Sequence, residues 1–148
     1  MLDWMSYHNK ENFLYDNFDR LCSLIADYDM CLILADGARS NSVVDLNERM
    51  HKDYSILGGL TDKAWRHSVQ VIVEGPGPMP MHMMQDSIKS LCDSCQDVPF
   101  YSIGAQVTQM NQDDNNISEI IAHAMSGWYG CSMINYNPKK FKASKNNF

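Results

Sequence analysis

The chain has 148 residues with a formal net charge of -6, and 45% of the residues are apolar and 20% charged. This length suits one compact domain, and the composition supports a hydrophobic core and argues against intrinsic disorder. The negative charge argues against a general affinity for nucleic acid or anionic membrane, and we expect neither a signal peptide nor a membrane span.

The first third of the chain predicts a helix followed by a strand. Apolar residues recur at helical spacing over 11–28, at Leu14, Phe18, Leu21 and Ile25. A short continuous apolar run then covers 30–35. Such a run is typical of a strand buried on both faces, as in a parallel sheet.

A second helix and strand follow. Leu57, Leu60 and Ala64 predict a helix that ends near His67, although Gly58 and Gly59 each weaken it by about 1 kcal/mol. Residues 69–73 (VQVIV) predict a strand, which is stopped by the glycine- and proline-rich segment 75–78.

The same alternation occurs twice more. A helix opening just after Pro80 is indicated by a stripe of Met84, Ile88, Leu91 and Cys95, and 100–103 predicts a third strand. Ile117, Ile121 and Ala124 predict a further helix, which Asn116 can cap with Glu119 as its capping-box partner. Residues 132–136 predict a fourth strand.

Four strands separated by helices indicate an α/β fold of parallel βα units. No glycine-rich dinucleotide motif is present, so these units fit roughly half of a (βα)8 TIM-type barrel, which needs about 250 residues. We expect residues 1–141 to form this partial barrel and 142–148 to form a polar tail. A half barrel leaves two open sheet edges, so we expect that the chain is incomplete or that it pairs with something.

Polar residues follow the predicted strands, where barrels place their working groups. Asp36 and Arg39 follow the first strand, Glu74 follows the second, and Tyr101 lies at the third. Together they could hold a phosphorylated ligand, with the arginine gripping phosphate as a fork. In the alternative, Asp36 and Glu74 cap the helices that follow and Arg39 is solvated.

Other side chains that could carry chemistry have simpler interpretations. Cys92 and Cys95 form a C-x-x-C, but five cysteines at irregular spacing show no second pair, and core packing is expected. His82 alone makes a poor metal site, and Trp128 is expected in the core. The remaining histidines are expected on helix surfaces: His8, His51, His67 and His123. The methionines of the second loop are expected to contribute adaptable packing: Met79, Met81, Met83 and Met84.

Five sequence blocks are distinctive: Glu11-Asn12-Phe13-Leu14-Tyr15, Asp36-Gly37-x-Arg39, Val69 through Gly77, Pro99-Phe100-Tyr101 and Gly127-Trp128-Tyr129-Gly130. These blocks resemble one known family, the ThiC family of phosphomethylpyrimidine synthases. Their order and spacing agree with the family from residue 4 to about residue 141. A single EGPG motif would be weak evidence for the family, whereas five blocks in the same order and spacing are specific evidence for it.

The resemblance implies a (βα)8 barrel and a radical enzyme of thiamine biosynthesis. The family uses a 4Fe-4S cluster, S-adenosylmethionine and a divalent metal, zinc or iron, and acts as a carbon–carbon lyase. It converts aminoimidazole ribotide into hydroxymethylpyrimidine phosphate, is homodimeric, and occurs in bacterial cytoplasm and in plastids. By motif position the substrate-binding residues would be Asp36, Gly37, Ala38, Arg39, Glu74 and Tyr101.

The chain departs from the family where chemistry is concerned. Pro78 and Phe141 stand where the family has its two metal-binding histidines, and neither offers a lone pair to a metal. The cysteines of the family's C-x-x-C-x-x-x-x-C cluster motif are absent from these 148 residues. We therefore expect an inactive fragment, with no catalytic or metal-binding residue of its own. The alternatives are a non-catalytic binding module for an imidazole or pyrimidine nucleotide, and an enzyme completed by other polypeptides.

Overall fold

A computed structural model describes residues 2–35, 46–77, 79–102 and 115–135. Several predicted features lie outside these ranges: Asp36, Gly37, Ala38, Arg39, Pro78, Phe141 and the 142–148 tail. The described elements are α1 (Leu2–His8), α2 (Phe13–Asp16), α3 (Phe18–Asp27), β1 (Cys31–Leu34), α4 (Leu46–Arg66), β2 (Gln70–Glu74), a 3-10 turn (Met81–Met83), α5 (Met84–Ser94), β3 (Phe100–Ser102), α6 (Asn115–Trp128) and β4 (Met133–Ile134). Within these ranges, no helix is long and apolar enough to cross a membrane.

The four strands form one parallel sheet in the order β1-β2-β3-β4. Cys31 is opposite Gln70, Val73 opposite Phe100, and Tyr101 opposite Met133. The predicted α/β fold of parallel βα units is therefore confirmed. Closure into a barrel stays a prediction.

In the described part of the chain, helices cover one face of the sheet. Leu34 and Val73 point into the helix-covered core and are 7% and 0% exposed, whereas their neighbour Ile33 is 55% exposed. The prediction of a first strand buried on both faces was therefore wrong. An apolar run shows that both faces of a strand can be buried. It cannot show whether another element covers the second face.

The helix predicted over 11–28 is two helices, separated at Asn17. Its backbone leaves the helical region at φ -106° and ψ 22°, and its side-chain Nδ2 donates to the carbonyl oxygen of Phe13 at 2.8 Å. Asn12 caps α2, because its Oδ1 accepts from the amide of Leu14 at 3.0 Å. Asparagine side chains compete for backbone groups in this way, which disfavours them inside helices.

The centre of the core is the contact between α5, α4 and the sheet. The whole predicted stripe of α5 is at most 1% exposed, which confirms that prediction, with Met84, Ile88, Leu91 and Cys95 as its members. From α4, Leu57 and Ala64 pack into the same cluster. The buried Tyr54 hydroxyl lies 2.9 Å from the hydroxyl of Ser87, so these two buried hydroxyl groups satisfy each other.

Helix α6 buries a different face from the predicted one. Ala122 and Ser126 are 0% exposed, whereas Ile121 is 37% and Trp128 86% exposed. The helix also begins at Asn115, so Asn116 lies inside it and is not its N-cap. Small residues of α6 are buried, while its large apolar residues Ile120, Ile121 and Trp128 are exposed.

Two adjacent glycines of α4 differ in their surroundings. A Cβ built on Gly58 would overlap the carbonyl oxygen of Ser94 at the end of α5, whereas one built on Gly59 would meet nothing within 4 Å. Gly58 lowers the intrinsic helix propensity of α4, but its missing side chain also lets α4 approach α5 closely.

We predict that Gly58→Ala destabilises the fold by about 1–3 kcal/mol, because the added methyl group overpacks the α4–α5 contact. Gly59→Ala is the matched control and should stabilise by about 0.5–1 kcal/mol through helix propensity. Urea unfolding followed by circular dichroism measures both. Equal effects of the two substitutions would contradict the assignment of Gly58 to a close helix contact.

Burial also sets the chemistry of the cysteines. Cys22 and Cys95 are at most 1% exposed, and desolvation raises the pKa of the Cys95 thiol to about 11. Burial, together with the nearby Asp19 carboxylate, also raises the pKa of Cys22. Cys31 is exposed.

We predict that a disulfide reagent at pH 8 modifies Cys31 first and leaves Cys95 unmodified until the chain unfolds. With a pKa near 11, only about one Cys95 thiol in a thousand is ionised at pH 8, and access is blocked as well. Peptide mass mapping over time gives the order, and Cys31→Ser should remove the fast phase. If Cys95 were labelled in the native state at the same rate as Cys31, its assignment to the buried core would be contradicted.

Candidate functional site

Glu74 and Tyr101 lie side by side at the C-terminal edge of the sheet. They are register partners of β2 and β3, and the amide of Gly75 donates to the carbonyl oxygen of Tyr101 at 2.7 Å. Both residues are half-buried and alternate with fully covered neighbours, Val73 and Ser102. Their side chains are therefore on the face that the helices leave uncovered, which we call the open face.

The segment after β2 is held in place by apolar contacts. Gly75 and Pro76 are buried, and the methionines on either side of the 3-10 turn, Met79 and Met84, are 0% exposed. The packing role expected for these two methionines is confirmed, whereas Met81 is 41% exposed. This packing supports the C-terminal edge of the sheet next to Glu74, which we call the rim.

The first strand leads to the same edge. Leu34, the last residue of β1, is opposite Val73, so the chain passes Ala35 at the level of Glu74. Segment 36–39, with its predicted Asp36 and Arg39, begins directly beyond but is outside the described residues. Of the six predicted site residues, the described structure brings two together, Glu74 and Tyr101.

A buried polar group was missed by the sequence analysis. His123, expected on a helix surface, is 8% exposed, and its Nε2 has no hydrogen-bond partner in the described part of the chain. The same holds for Ser102 Oγ, which is 0% exposed. A buried polar atom without a partner costs about 1–3 kcal/mol. No local signal distinguishes His123 from a surface histidine, because its burial depends on which face of α6 packs.

A second polar cluster joins α3 to the turn after α4. The Nε2 of His67 lies 3.2 Å from the Asp19 carboxylate, and its Nδ1 lies 3.4 Å from the hydroxyl of Ser23. The three residue types match a hydrolase triad, but the Ser23 hydroxyl donates to the backbone carbonyl of Asp19 at 3.0 Å. Its proton is therefore engaged away from the imidazole. The cluster links α3 to the turn after α4 at the protein surface and so positions α3.

The described residues do not fit the family's metal cofactors. No group of three or more His, Cys, Asp or Glu among them is placed to hold a metal ion. Iron–sulfur clusters require thiolates, whereas Cys95 is a buried thiol whose Sγ lies 4.0 Å from the carbonyl oxygen of Tyr54. The C-x-x-C of α5 thus contributes to packing.

The comparison with known families agrees with the resemblance seen in the sequence. A family model described as the radical SAM ThiC family matches residues 1–140. This span includes every strand of the sheet and both Glu74 and Tyr101. The parallel sheet, the five sequence blocks and this match lead to one conclusion: the chain belongs to the radical SAM ThiC family, which acts in the synthesis of the thiamine pyrimidine.

Proposed function

We propose that this chain is the substrate-binding part of a phosphomethylpyrimidine synthase, which holds aminoimidazole ribotide at the strand-end rim and does not carry out the radical reaction by itself. Residues 1–141 act as one partial barrel in this proposal. The observation that carries it is the pairing of Glu74 with Tyr101 at the C-terminal edge of a parallel sheet. Barrels of this class place their sites at that edge.

The chemistry of the described rim suits the heterocyclic end of such a ligand. The Glu74 carboxylate can accept hydrogen bonds from an amino group or a ribose hydroxyl, and hydrogen bonds to a charged group are the stronger ones. Tyr101 offers a ring for stacking and a hydroxyl for hydrogen bonding. Below them on the open face, Ile33 and Ile72 are register partners and provide an apolar surface.

The phosphate end of the ligand is assigned to segment 36–39. Arg39 can bind a phosphate through two parallel N–H donors, which a lysine cannot do. Asp36, Gly37 and Ala38 complete the substrate segment by their match to the family motif. The support is the sequence match, together with the direction in which β1 leaves the sheet.

The radical chemistry of the family is not assigned to these residues. In the family, a 4Fe-4S cluster supplies the electron that cleaves S-adenosylmethionine. Pro78 and Phe141 replace the metal-binding histidines with side chains that cannot bind a metal, and the thiols Cys22 and Cys95 are buried in the core. Binding without turnover is the function that these residues support. The family's homodimer and its cytoplasmic or plastid location belong to the same proposal.

We predict that isothermal titration calorimetry detects aminoimidazole ribotide binding to the purified chain, and that Glu74→Gln weakens it about 10- to 100-fold. The loss corresponds to a charged hydrogen bond of about 1.5–3 kcal/mol. Tyr101→Phe should weaken binding less, by up to about tenfold. Gln70→Ala is the matched control, because Gln70 is on the same strand and face as Glu74 but at the other end, and it should bind like the wild type.

Two results would contradict the proposal. The absence of heat at millimolar ligand with a folded chain would remove the binding site. Formation of 5′-deoxyadenosine from S-adenosylmethionine by the purified chain, with a reductant present, would show that it carries out the radical step. The same assay on the chain co-expressed with candidate cluster-bearing polypeptides tests whether partners restore turnover.

A further inference from the structure

We propose that Ser102 and His123 hold one buried water molecule between them, and that this water links α6 to the end of β3 at the rim. The inference goes beyond the proposed function, and its tests use no ligand. It rests on two buried polar atoms and on the topology that brings them to the same place in the helix layer.

Two buried side chains carry a polar atom that no described group satisfies. Ser102 is 0% and His123 8% exposed, and neither Ser102 Oγ nor His123 Nε2 has a hydrogen-bond partner in the described part of the chain. By contrast, the buried hydroxyl of Ser126 donates to the carbonyl oxygen of Ala122 at 2.8 Å. Buried polar atoms nearly always have a partner, and ordered water supplies it where no protein group does.

The connection between β3 and β4 places α6 over these two strands. The strands are parallel neighbours, and α6 is the helix that joins them. Crossovers between parallel strands are right-handed, so α6 lies on the same face of the sheet as α4 and α5, the helices of the two preceding crossovers. In agreement, Ala122 of α6 belongs to the same core cluster as Phe100 of β3. Ser102 is on the same face of β3 as Phe100, because side chains alternate along a strand.

Ser102 and His123 also lie at the same height in this layer. The amide of Cys131, just after α6, donates to the carbonyl oxygen of Ser126 at 2.9 Å, so Cys131 is level with the end of the helix. The three residues from there to Ile134 rise about 10 Å, and about six to seven residues of helix cover the same distance in the opposite direction. Ile134 and its register partner Ser102 are therefore level with His123.

Water can satisfy both atoms at once. A hydroxyl group and a water molecule can each donate and accept, whereas the Nε2 of a neutral imidazole does one or the other according to its tautomer. A bridging water therefore serves both side chains in either tautomer. It also joins polar atoms that are too far apart for a direct hydrogen bond, as Ser102 Oγ and His123 Nε2 are.

The bound water restrains the end of β3 at the rim. Ser102 directly follows Tyr101, whose side chain is on the open face. The carbonyl oxygens of Tyr101 and Ser102 accept from the amides of Gly75 and Asn135 at 2.7 and 2.9 Å, respectively. Because the water ties Ser102 to α6, it limits local opening of these two hydrogen bonds.

The first test is amide hydrogen exchange followed by NMR. Ser102→Ala and His123→Phe each remove one side of the bridge. Each substitution should speed the exchange of the Gly75 and Asn135 amides about fivefold or more, since exchange follows the local opening equilibrium.

Two amides at the other end of β3 are the matched control. The amides of Val73 and Ser132 donate to the carbonyl oxygens of Pro99 and Phe100 at 2.9 and 3.0 Å, and their exchange should change by less than about twofold. Equal acceleration at both ends of the strand would show a general loss of stability and would overturn the link to the rim.

A double-mutant cycle tests whether one molecule joins the two side chains. In urea unfolding, Ser102→Ala and His123→Phe should each raise the unfolding equilibrium constant about five- to thirtyfold. The constant of the double variant should be about fivefold or more below the product of the two single effects, because the first substitution already releases the water. His123→Gln should keep part of the bridge, since its side-chain amide offers a polar atom in place of Nε2.

Ser87→Ala is the matched control for the cycle. The hydroxyl of Ser87 is also buried, but it has its partner in Tyr54 at 2.9 Å. The substitution should therefore destabilise the chain independently of His123→Phe, and the two effects should multiply.

Three further results would contradict the bridge. Multiplicative effects of Ser102→Ala and His123→Phe would show that the two atoms do not share a molecule. Increased stability of either variant would show that its polar atom was buried without any partner. A crystal structure that resolves ordered water but shows none within about 2.7–3.2 Å of both atoms would exclude the bridge directly.

Discussion

The close contact between α4 and α5 is the constraint on which the rest of the structure depends. Gly58 lets the backbone of α4 reach the end of α5 at Ser94, and this approach brings Tyr54 into hydrogen-bonding distance of Ser87. The helix pair covers β2 and β3 and keeps Met84 fully buried. Because Met84 and Met79 together hold the segment after β2, the same packing positions the rim that carries Glu74 and Tyr101.

In the described part of the chain, the core lies on one face of the sheet. Burial on the helix side provides the hydrophobic free energy, while the other face carries apolar side chains such as Ile33 that remain accessible. In a parallel sheet both faces are normally covered. This accessible apolar face ends at the edge of the sheet that carries Glu74 and Tyr101.

The chain belongs to the radical SAM ThiC family, whose chemistry combines ligand binding with a radical step. The residues at the rim relate to ligand binding only. The groups suited to holding a ligand, Glu74 and Tyr101, are adjacent through the strand register. At the metal positions, Pro78 and Phe141 have no donor atom. In the function that we propose, ligand binding needs only hydrogen bonds and shape, whereas the radical step needs a cluster and a metal, so the first can persist without the second.

The sequence by itself determined the order of helices and strands, their parallel arrangement, the buried stripe of α5 and the two rim residues, because apolar periodicity and strand ends are local properties. Tertiary structure alone decided the buried face of α6, since its apolar residues recur with helical period on more than one face and only the elements packed against it, among them α5, select between them. For that reason Trp128 and His123 were predicted on the wrong sides. Likewise, only the assembled layers show that Gly58 is a contact point and that β1 is covered on a single face, because burial depends on partners distant in sequence.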